Sequence, residues 1–338
     1  MARILCTGAA GFIGSYICKG LITQGHTVIG VDDLSGGALE NLPRQPHPLF
    51  SFYKVDLNHY ADIQEVFAAN RPEIVYHCAS CAREGASEFQ PRHITYSNLM
   101  ASLTTFELAI QYSVKKIVFT SSCSVYGENK TPFEERYPRR PVDPYGINKA
   151  ATEHCLEVLA ETHGFQWTIL RPHNVVGCGQ AIDRYRNVAA IFINSILRDE
   201  PLYLFGEGHV RAFSNIKDSM LSFLRAADLD EKLNKQIINV GGKEPVSIQG
   251  FAEECLKYFP EKKNYPIIQA PARPHETKES WATTRKSEEL LGYKESYGWR
   301  AAIEEMVDWM KQRGPTKWKI ENLPLLNDKA PEVWRKKP

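Results

Sequence analysis

A tyrosine and a lysine stand four residues apart in the stretch DPYGINKAATEHC, at the start of a predicted helix. This spacing places Tyr145 and Lys149 on one face of that helix. A free tyrosine has a pKa of about 10, and lowering it to about 7 requires roughly 4 kcal/mol of preferential stabilisation of the phenolate. A neighbouring ammonium supplies positive charge of the required sign. The pair could therefore take a proton from a substrate hydroxyl, although YxxxK alone is frequent in amphipathic helices.

The stretch TSSCSVYG, residues 120–127, adds hydroxyl groups to this chemistry. It follows the apolar run KKIVF, which predicts a buried strand, so its small residues stand where a strand ends. In open parallel sheets, ligands bind at that edge. Ser122, Tyr145 and Lys149 therefore form a candidate proton-transfer set.

A glycine loop precedes this set in the chain. Gly8, Gly11 and Gly14 directly follow the first predicted strand and open the first predicted helix. Glycines there permit a tight turn and let backbone N–H groups approach a pyrophosphate. Asp32 ends the second strand, where a carboxylate accepts hydrogen bonds from a ribose 2′-OH and repels a 2′-phosphate. No arginine follows directly, so the pattern favours NAD over NADP. Asp56, which ends the third strand, could bind the adenine amino group or belong to a helix N-cap.

Strand-like and helix-like segments must position these residues, and they alternate from the first residue of the chain. This alternation predicts an α/β fold, a doubly wound (Rossmann) parallel sheet with helices on both faces. Helical patterns cover 60–70, 94–112 and 145–163, and QIINVGG is expected to return to the main sheet. We expect an NAD-binding domain over 1–177 with about 212–241, and a smaller, interleaved α/β substrate domain over 178–211 and 242–330. The tail, 314–338, is expected to drape over the surface or fray.

Composition excludes several classes of protein. Forty-one Lys and Arg residues face 40 Asp and Glu residues, which leaves a formal charge of +1 and gives no support for nucleic-acid or membrane binding. No apolar stretch reads as a signal peptide or a membrane span. The eight scattered cysteines are typical of reduced thiols in a cytoplasmic protein. The one CxxC, at 78–81, lacks a second pair or a histidine cluster, so no metal site is expected.

Together these motifs resemble the extended short-chain dehydrogenase/reductase superfamily, and within it the nucleotide-sugar epimerases of the UDP-glucose/UDP-galactose type. The resemblance runs from GAAGFIG through VDDLSGG, TSSCSVYG, DPYGINK, LRPHNVVG and GEGHVRAF to RPHETKESWATTRKSEELLGY. It implies that Ser122, Tyr145 and Lys149 are the catalytic triad and that Asn98 helps to hold Lys149 through water. It also implies an NAD site lined by Gly8, Gly11, Phe12, Ile13, Gly14, Asp32, Asp33, Asp56, Leu57, Ala79, Asn98, Lys149, Pro172 and His173. Of the two acidic residues that end the second strand, Asp33 is better explained as a turn cap than Asp32.

The resemblance further implies a site for a nucleotide-diphosphate sugar. Asn174 matches an asparagine that meets the diphosphate, and Arg211 and Arg273 match two arginines that clamp it. Glu276 matches an acidic residue that holds the nucleotide ribose, and Ser280 stands where the family limits bulk at the sugar 2-position. The loop GEGHVRAF is one residue shorter than is usual in the family. The expected substrate-binding set is Ser122, Ser124, Asn174, Arg211, Arg273, Glu276 and Ser280.

The two residues after Ser122 favour one reaction of the family over others. Dehydratases carry an Asp-Glu pair there, decarboxylases and mannose dehydratases carry Glu at the second position, and C3 or C5 epimerases carry cysteine at that second position. This chain has Cys123 and Ser124, and neither is an acid or base near neutral pH without a large pKa shift. The resemblance therefore favours NAD-dependent C4 epimerisation of a UDP-hexose through a transient 4-keto sugar.

Several alternatives stay open at the level of sequence. The sugar could be neutral, N-acetylated, uronic or a pentose. A nucleotide-4-keto-sugar reductase that uses NAD(P)H and a non-catalytic regulator that binds NAD(H) are alternative functions. By the same resemblance, a homodimer would form through the helices at about 94–112 and 145–163.

Overall fold

The computed structural model describes residues 1–318 and 329–335. Seven strands form one parallel sheet in the order β11-β6-β5-β4-β1-β2-β3, which confirms the predicted doubly wound fold and the return of QIINVGG to the sheet. The strands are β1 (Arg3–Thr7), β2 (Thr27–Asp32), β3 (Phe50–Lys54), β4 (Ile74–His77), β5 (Lys116–Thr120), β6 (Gln166–His173), β7 (Val175–Val176), β8 (Leu202–Phe205), β9 (Val210–Ala212), β10 (Ser214–Asn215), β11 (Gln236–Gly241), β12 (Pro245–Ser247), β13 (Ile267–Ala270) and β14 (Glu279–Ser280).

Helices cover both faces of this sheet. The α-helices of the described chain are α1 (Phe12–Thr23), α2 (Tyr60–Asn70), α3 (Pro91–Thr95), α4 (Ala101–Gln111), α5 (Pro144–His163), α6 (Val188–Leu197), α7 (Ile216–Arg225), α8 (Ile248–Lys257), α9 (Arg285–Leu291), α10 (Gly298–Arg313) and α11 (Glu332–Arg335). Side chains alternate along each strand, so Ile4 packs in one core with Ile17 of α1, whereas Leu5 packs in the other with Phe106 of α4. Burial on both faces explains why these strands are continuous apolar runs in the sequence.

The helix predicted over 94–112 is interrupted. α3 ends at Thr95, the chain widens into a π-helical turn over Tyr96–Met100, and α4 begins at Ala101. Single π turns interrupt α-helices mainly at functional sites. The predicted helix over 145–163 is α5, which begins one residue earlier, at Pro144.

The second region carries its own core. α6, α8 and α10 pack around Phe213, Phe251 and Trp299, whose rings stack with centroids 4.0 Å apart for the first two and 5.2 Å apart for the last two. Small sheets, β12-β9-β14 and β13-β8, connect these helices. The return of the chain to the main sheet at β11 interleaves the two regions.

The described parts of the tail pack against the rest of the chain. Trp318 and Trp334 are only 5% and 6% exposed, and the Trp318 indole N–H donates to Glu200 at 2.7 Å. Burial of these two large rings holds the segments in place, so the described parts of the tail do not fray. The rest of the tail, 319–328 and 336–338, lies outside the described residues. In the described part of the chain, no helix is both long and apolar enough to cross a bilayer.

Candidate active site

A cavity of about 1190 Å³ opens where the parallel strands end. Residues directly after β1, β2, β4 and β5 line it, which is the edge where open parallel sheets bind ligands. Of the predicted site residues, those that line it are Gly8, Gly11, Phe12, Ile13, Gly14, Asp32, Asp33, Asp56, Leu57, Ala79, Ser122, Ser124, Tyr145, Lys149, Pro172, Asn174, Arg211, Arg273 and Glu276. One cavity thus joins the glycine loop, the Tyr/Lys pair and the arginine pair.

The glycine loop approaches its neighbours too closely for any side chain. Gly8 has a φ of 69°, and a Cβ there would lie 2.8 Å from the backbone nitrogen of Ala79. A Cβ on Gly14 would lie 2.1 Å from the carbonyl oxygen of Gly8. α1 begins directly behind this loop without a side-chain cap, so its first N–H groups are available to a ligand. The cradle therefore fits the diphosphate of a dinucleotide.

Two acidic residues at the end of β2 have different surroundings. Asp32 is buried and accepts hydrogen bonds from the N–H groups of Ala10 at 3.0 Å and Leu34 at 2.7 Å. Burial raises its pKa, and its remaining lone pairs can accept ribose hydroxyls. Asp33 is exposed and accepts the N–H and hydroxyl of Ser35 at 2.8 and 2.6 Å. Asp33 therefore caps a turn, although it too borders the cavity.

The surroundings of Asp56 are compatible with both roles that the sequence left open. Its carboxylate accepts the backbone N–H of Asn58 at 2.9 Å, in the turn that leads into α2. The same residue lines the cavity beside Leu57. A helix-entry role and a contact with a bound adenine are therefore compatible.

The reactive end brings Ser122, Tyr145 and Lys149 together. The Lys149 ammonium donates to the carbonyl of Thr120 at 2.9 Å and lies 5.9 Å from the centre of the Tyr145 ring. Burial lowers the pKa of Lys149 to about 8. Ser122 accepts the backbone N–H of Ser124 at 3.1 Å, and their hydroxyl oxygens lie 3.0 Å apart.

The protein's own groups do not lower the pKa of Tyr145. Burial raises it, because the phenolate would be poorly solvated, and the hydrogen bond with Ser122 lowers it only in part. The Lys149 ammonium is directed at a backbone carbonyl of β5 and not at the phenol. The chain's own residues therefore keep Tyr145 protonated, and a lowered pKa requires further positive charge.

Asn98 makes its hydrogen bonds with the loop after β4. It is buried in the π-helical turn, where its amide oxygen accepts the N–H of Cys81 at 2.7 Å and its amide nitrogen donates to the Cys81 carbonyl at 3.2 Å. It does not line the cavity. These bonds shape the loop after β4, and the water link from Asn98 to Lys149 stays a prediction.

Two further predicted contact residues lie behind the cavity wall. The buried His173 imidazole lies 3.1 Å from the carbonyl oxygen of Gly242, and burial lowers its pKa to about 4. The Ser280 hydroxyl lies 3.8 Å from the Cys123 thiol, which itself faces the cavity. Neither side chain borders the cavity in the ligand-free structure. Their contacts with a ligand stay predictions.

The arginine pair shares one carboxylate. Arg273 donates to Glu276 at 2.8 Å through Nε and also through Nη2, and Arg211 lies 3.5 Å from the same carboxylate. Arg211 also donates to the carbonyl of Thr277 at 2.8 Å. Asn174 has a φ of 42° and donates to the Ala212 carbonyl at 3.0 Å. These contacts hold two guanidinium groups at one end of the cavity, with geometry suited to a diphosphate.

Two carboxylates near the reactive end escaped the sequence prediction. Glu84 is exposed to the cavity, and Asp143 caps α5 by accepting the N–H of Gly146 at 2.9 Å. Burial, and next the charge of Glu84, raise the pKa of Asp143 to about 7. The Asp-Pro pair before Tyr145 is a helix-start signal that could have found Asp143. Glu84 has no such local signal.

Trp334 also escaped the sequence prediction. It borders the cavity, and its ring lies 5.4 Å from that of Tyr185 and 6.0 Å from that of Phe205. The guanidinium of Arg273 lies 5.9 Å from the Trp334 ring and 5.2 Å from the Phe205 ring. The C-terminal helix therefore supports an arginine of the cavity.

Comparisons with known proteins show the family of this chain. Residues 4–241 match the model of the "NAD dependent epimerase/dehydratase family". The chain belongs to this family. A UDP-glucose 4-epimerase of Mycolicibacterium smegmatis is 34% identical over 228 residues, which are 66% of this chain and 72% of that protein.

Solved structures of the family resemble this chain over most of its length. A UDP-glucose 4-epimerase of Thermotoga maritima, solved with UDP-glucose, is 31% identical with a TM-score of 0.85, and the alignment covers 92% of this chain and 99% of the other. A UDP-glucuronic acid 4-epimerase of Bacillus cereus, solved with UDP-glucuronic acid and NAD, is 28% identical with a TM-score of 0.84 and the same coverage. The predicted epimerase family, class of enzyme and NAD cofactor are confirmed.

Proposed function

We propose that this enzyme interconverts the C4 epimers of a UDP-hexose and retains its NAD through the reaction. The observation that carries the proposal is the single cavity that joins the glycine cradle, the Tyr145 hydroxyl and the arginine pair. The solved epimerases that resemble this chain were crystallised with UDP-sugars. A dinucleotide and a nucleotide sugar would share this cavity.

The roles of the chain's residues follow from their positions. Arg211 and Arg273 bind the diphosphate, and Tyr145, aided by Ser122, takes the proton from the sugar 4-OH and later returns it. Lys149 places positive charge beside the site. NAD, when bound, supplies the acceptor and donor for the C4 hydride and adds positive charge near Tyr145. The 4-keto sugar must then turn about its bonds to the diphosphate before C4 is reduced on the other face.

The proposed reaction is tested by incubating the purified protein with single UDP-sugars and no added cofactor. NMR should show the C4 epimer appearing until the two epimers reach equilibrium. Product that forms only when NAD(P)H is added would instead support the reductase. Absence of any epimer from protein that carries NAD would contradict the proposed reaction.

We also infer a homodimer formed through α3, the π-helical turn, α4 and α5. Several large apolar side chains of these segments are exposed in the single chain, among them Tyr96, Met100, Ile147 and Val158, each 47–52% exposed. Exposed apolar patches of this kind mark protein interfaces. Sedimentation should report two chains per particle, and a monomer at micromolar concentration would contradict the inference.

A further inference from the structure

Glu84 presents an exposed carboxylate to the cavity and is tied to its reactive end. The Ser87 hydroxyl donates to the Glu84 backbone carbonyl at 2.6 Å and lies 3.4 Å from a carboxylate oxygen of Asp143. Asp143 in turn caps the helix that begins with Pro144 and Tyr145. The loop that carries Glu84 is thus anchored beside the Tyr145 end of the cavity.

The other side of this loop meets the arginine pair. A Cβ on Gly85, the next residue, would lie 2.9 Å from a terminal nitrogen of Arg273. Glu84 therefore stands between Tyr145 and Arg273. In the proposed complex, the diphosphate of the substrate lies on Arg273 and its 4-OH lies at Tyr145. The sugar ring must then occupy the space between these two residues, which we call the sugar interval.

The charge of Glu84 reaches the groups around that interval. Burial is the main cause of the raised pKa values of Cys123 and Asp143, and the negative charge of Glu84 is the next cause for both. The charge of Glu84 also raises the pKa of Tyr145, although burial and the hydrogen bond with Ser122 have larger effects. Glu84 therefore adds negative charge to the sugar interval, and Arg211 and Arg273 add positive charge near it.

The positive groups around this interval already have acceptors. Arg211 and Arg273 share Glu276, and Lys149 donates to the Thr120 carbonyl. The remaining cavity-lining guanidinium groups of the described chain also have acceptors, with Arg83 and Arg186 at Asp183 and Arg184 at the Val333 carbonyl. Among the described residues, a carboxylate on the sugar would therefore meet Glu84, while each guanidinium group that borders the cavity is already held by another acceptor.

We propose that Glu84 is a specificity-determining residue that selects neutral sugars and rejects uronic acids. This inference rests on the proposed function and names its substrate class. Hydroxyl groups of a neutral hexose can donate to the Glu84 carboxylate. A uronate would bring a second negative charge into the same interval, and like-charge contacts of this kind exclude a competing ligand.

The test compares kcat/KM for UDP-glucose and UDP-glucuronate in the full-length, NAD-loaded enzyme. For the unaltered enzyme we expect a preference of about tenfold or more for UDP-glucose, because like charges repel strongly in a partly desolvated site. The variant Glu84→Gln should lower this ratio by about tenfold through a gain on the uronate side, since it keeps the shape and removes the charge. Glu88→Gln is the matched control, because Glu88 borders the cavity in the same loop but lies 3.1 Å from His275. Its ratio should match that of the unaltered enzyme.

Three outcomes would overturn the inference or its basis. Equal use of both sugars by the unaltered enzyme contradicts the role of Glu84 and needs no variant. An unchanged ratio of the two kcat/KM values in a folded Glu84→Gln protein that retains NAD also contradicts the role of Glu84. Epimerisation of neither sugar would contradict the proposed function itself, and so the two failures are distinguishable.

Discussion

Tyr145 lies in a site where burial opposes its ionisation, so its hydroxyl must gain its reactivity from the ligands it meets. Tyr145→Phe removes that hydroxyl and keeps the ring that packs beside Lys149. We expect kcat to fall about 100-fold or more, the range set by loss of a general acid–base group. Bound NAD should remain at the level of the unaltered protein. Steady-state rates and the NAD content of the purified variant provide the measurement.

Tyr126→Phe is the control for this variant. The Tyr126 hydroxyl is also buried and donates to Asn239 at 2.7 Å, away from the reactive end. Its loss should cost about 1 kcal/mol of unfolding free energy and leave kcat unchanged. Similar kcat values in the two variants would remove Tyr145 from its proposed role.

A separate prediction concerns the effect of Lys149 on the free energy of unfolding. Burial lowers its pKa to about 8, below the ordinary lysine value of about 10.4, so the folded state carries the ammonium at a cost. Lys149→Met should therefore raise the unfolding free energy by about 1–2 kcal/mol at pH 7 while abolishing activity. The sign follows from proton binding: the cost is complete below pH 8 and disappears as the pH rises towards about 10. Denaturant unfolding at pH 7 and pH 10 measures the difference, and a variant less stable than the original at pH 7 would contradict it.

At the scale of single residues, the sequence predicted side chains that sit in short motifs. Ser122, Tyr145 and Lys149 were found because a strand end and a helical spacing place them. Glu84 was not, because only the fold brings its loop between Tyr145 and Arg273. A lowered pKa of Tyr145 stays a prediction for the NAD-bound enzyme. In the chain alone, burial raises this pKa and Lys149 donates to Thr120, which spacing along a helix does not reveal.

At the scale of elements, the C-terminal helix α11 contacts a cavity arginine through the ring of Trp334. Trp334 and Phe205 lie against the guanidinium of Arg273, and Glu276 accepts its hydrogen bonds. Trp334 is thus a positioning residue for Arg273. Trp334→Ala should raise KM for the UDP-sugar about tenfold and change kcat about twofold or less, because Arg273 contributes to binding equally in the ground and transition states.

The conservative variant separates positioning from folding in this helix. Trp334→Phe keeps an aromatic face for the guanidinium and should restore KM to within about threefold of the original value. Thermal unfolding of both variants shows whether the helix stays docked. A fall in kcat with an unchanged KM would contradict the positioning role.

The helices differed in how well their bounds could be predicted from the sequence. α2 was predicted at its observed bounds and α5 to within one residue, since an apolar face and start signals define both. The π-helical turn after α3 was not foreseen, because the hydrophobic spacing of 94–112 continues across it. α11 was missed because a short segment docked by one tryptophan has no periodicity to read.

At the scale of the whole molecule, the parallel sheet places the proposed NAD-binding and proton-transfer residues at one edge. The glycine loop after β1, Asp32 in β2 and Ser122 after β5 meet there because parallel strands end on the same side. Alternating strand and helix patterns were enough to predict this arrangement. The packing of the second region and tail was not predictable in the same way, since it depends on long-range ring contacts such as Phe213 with Phe251.

The most direct test of the account follows the hydrogen at C4. UDP-glucose carrying deuterium at C4 is incubated with the purified enzyme in ordinary water, with no cofactor added, and the product is examined by NMR. The account predicts UDP-galactose that keeps its deuterium at C4, because a hydride held by a nicotinamide does not exchange with water before it returns to the sugar. Product whose C4 deuterium has been lost to solvent, or no product without added reduced cofactor, would contradict reversible oxidation at C4.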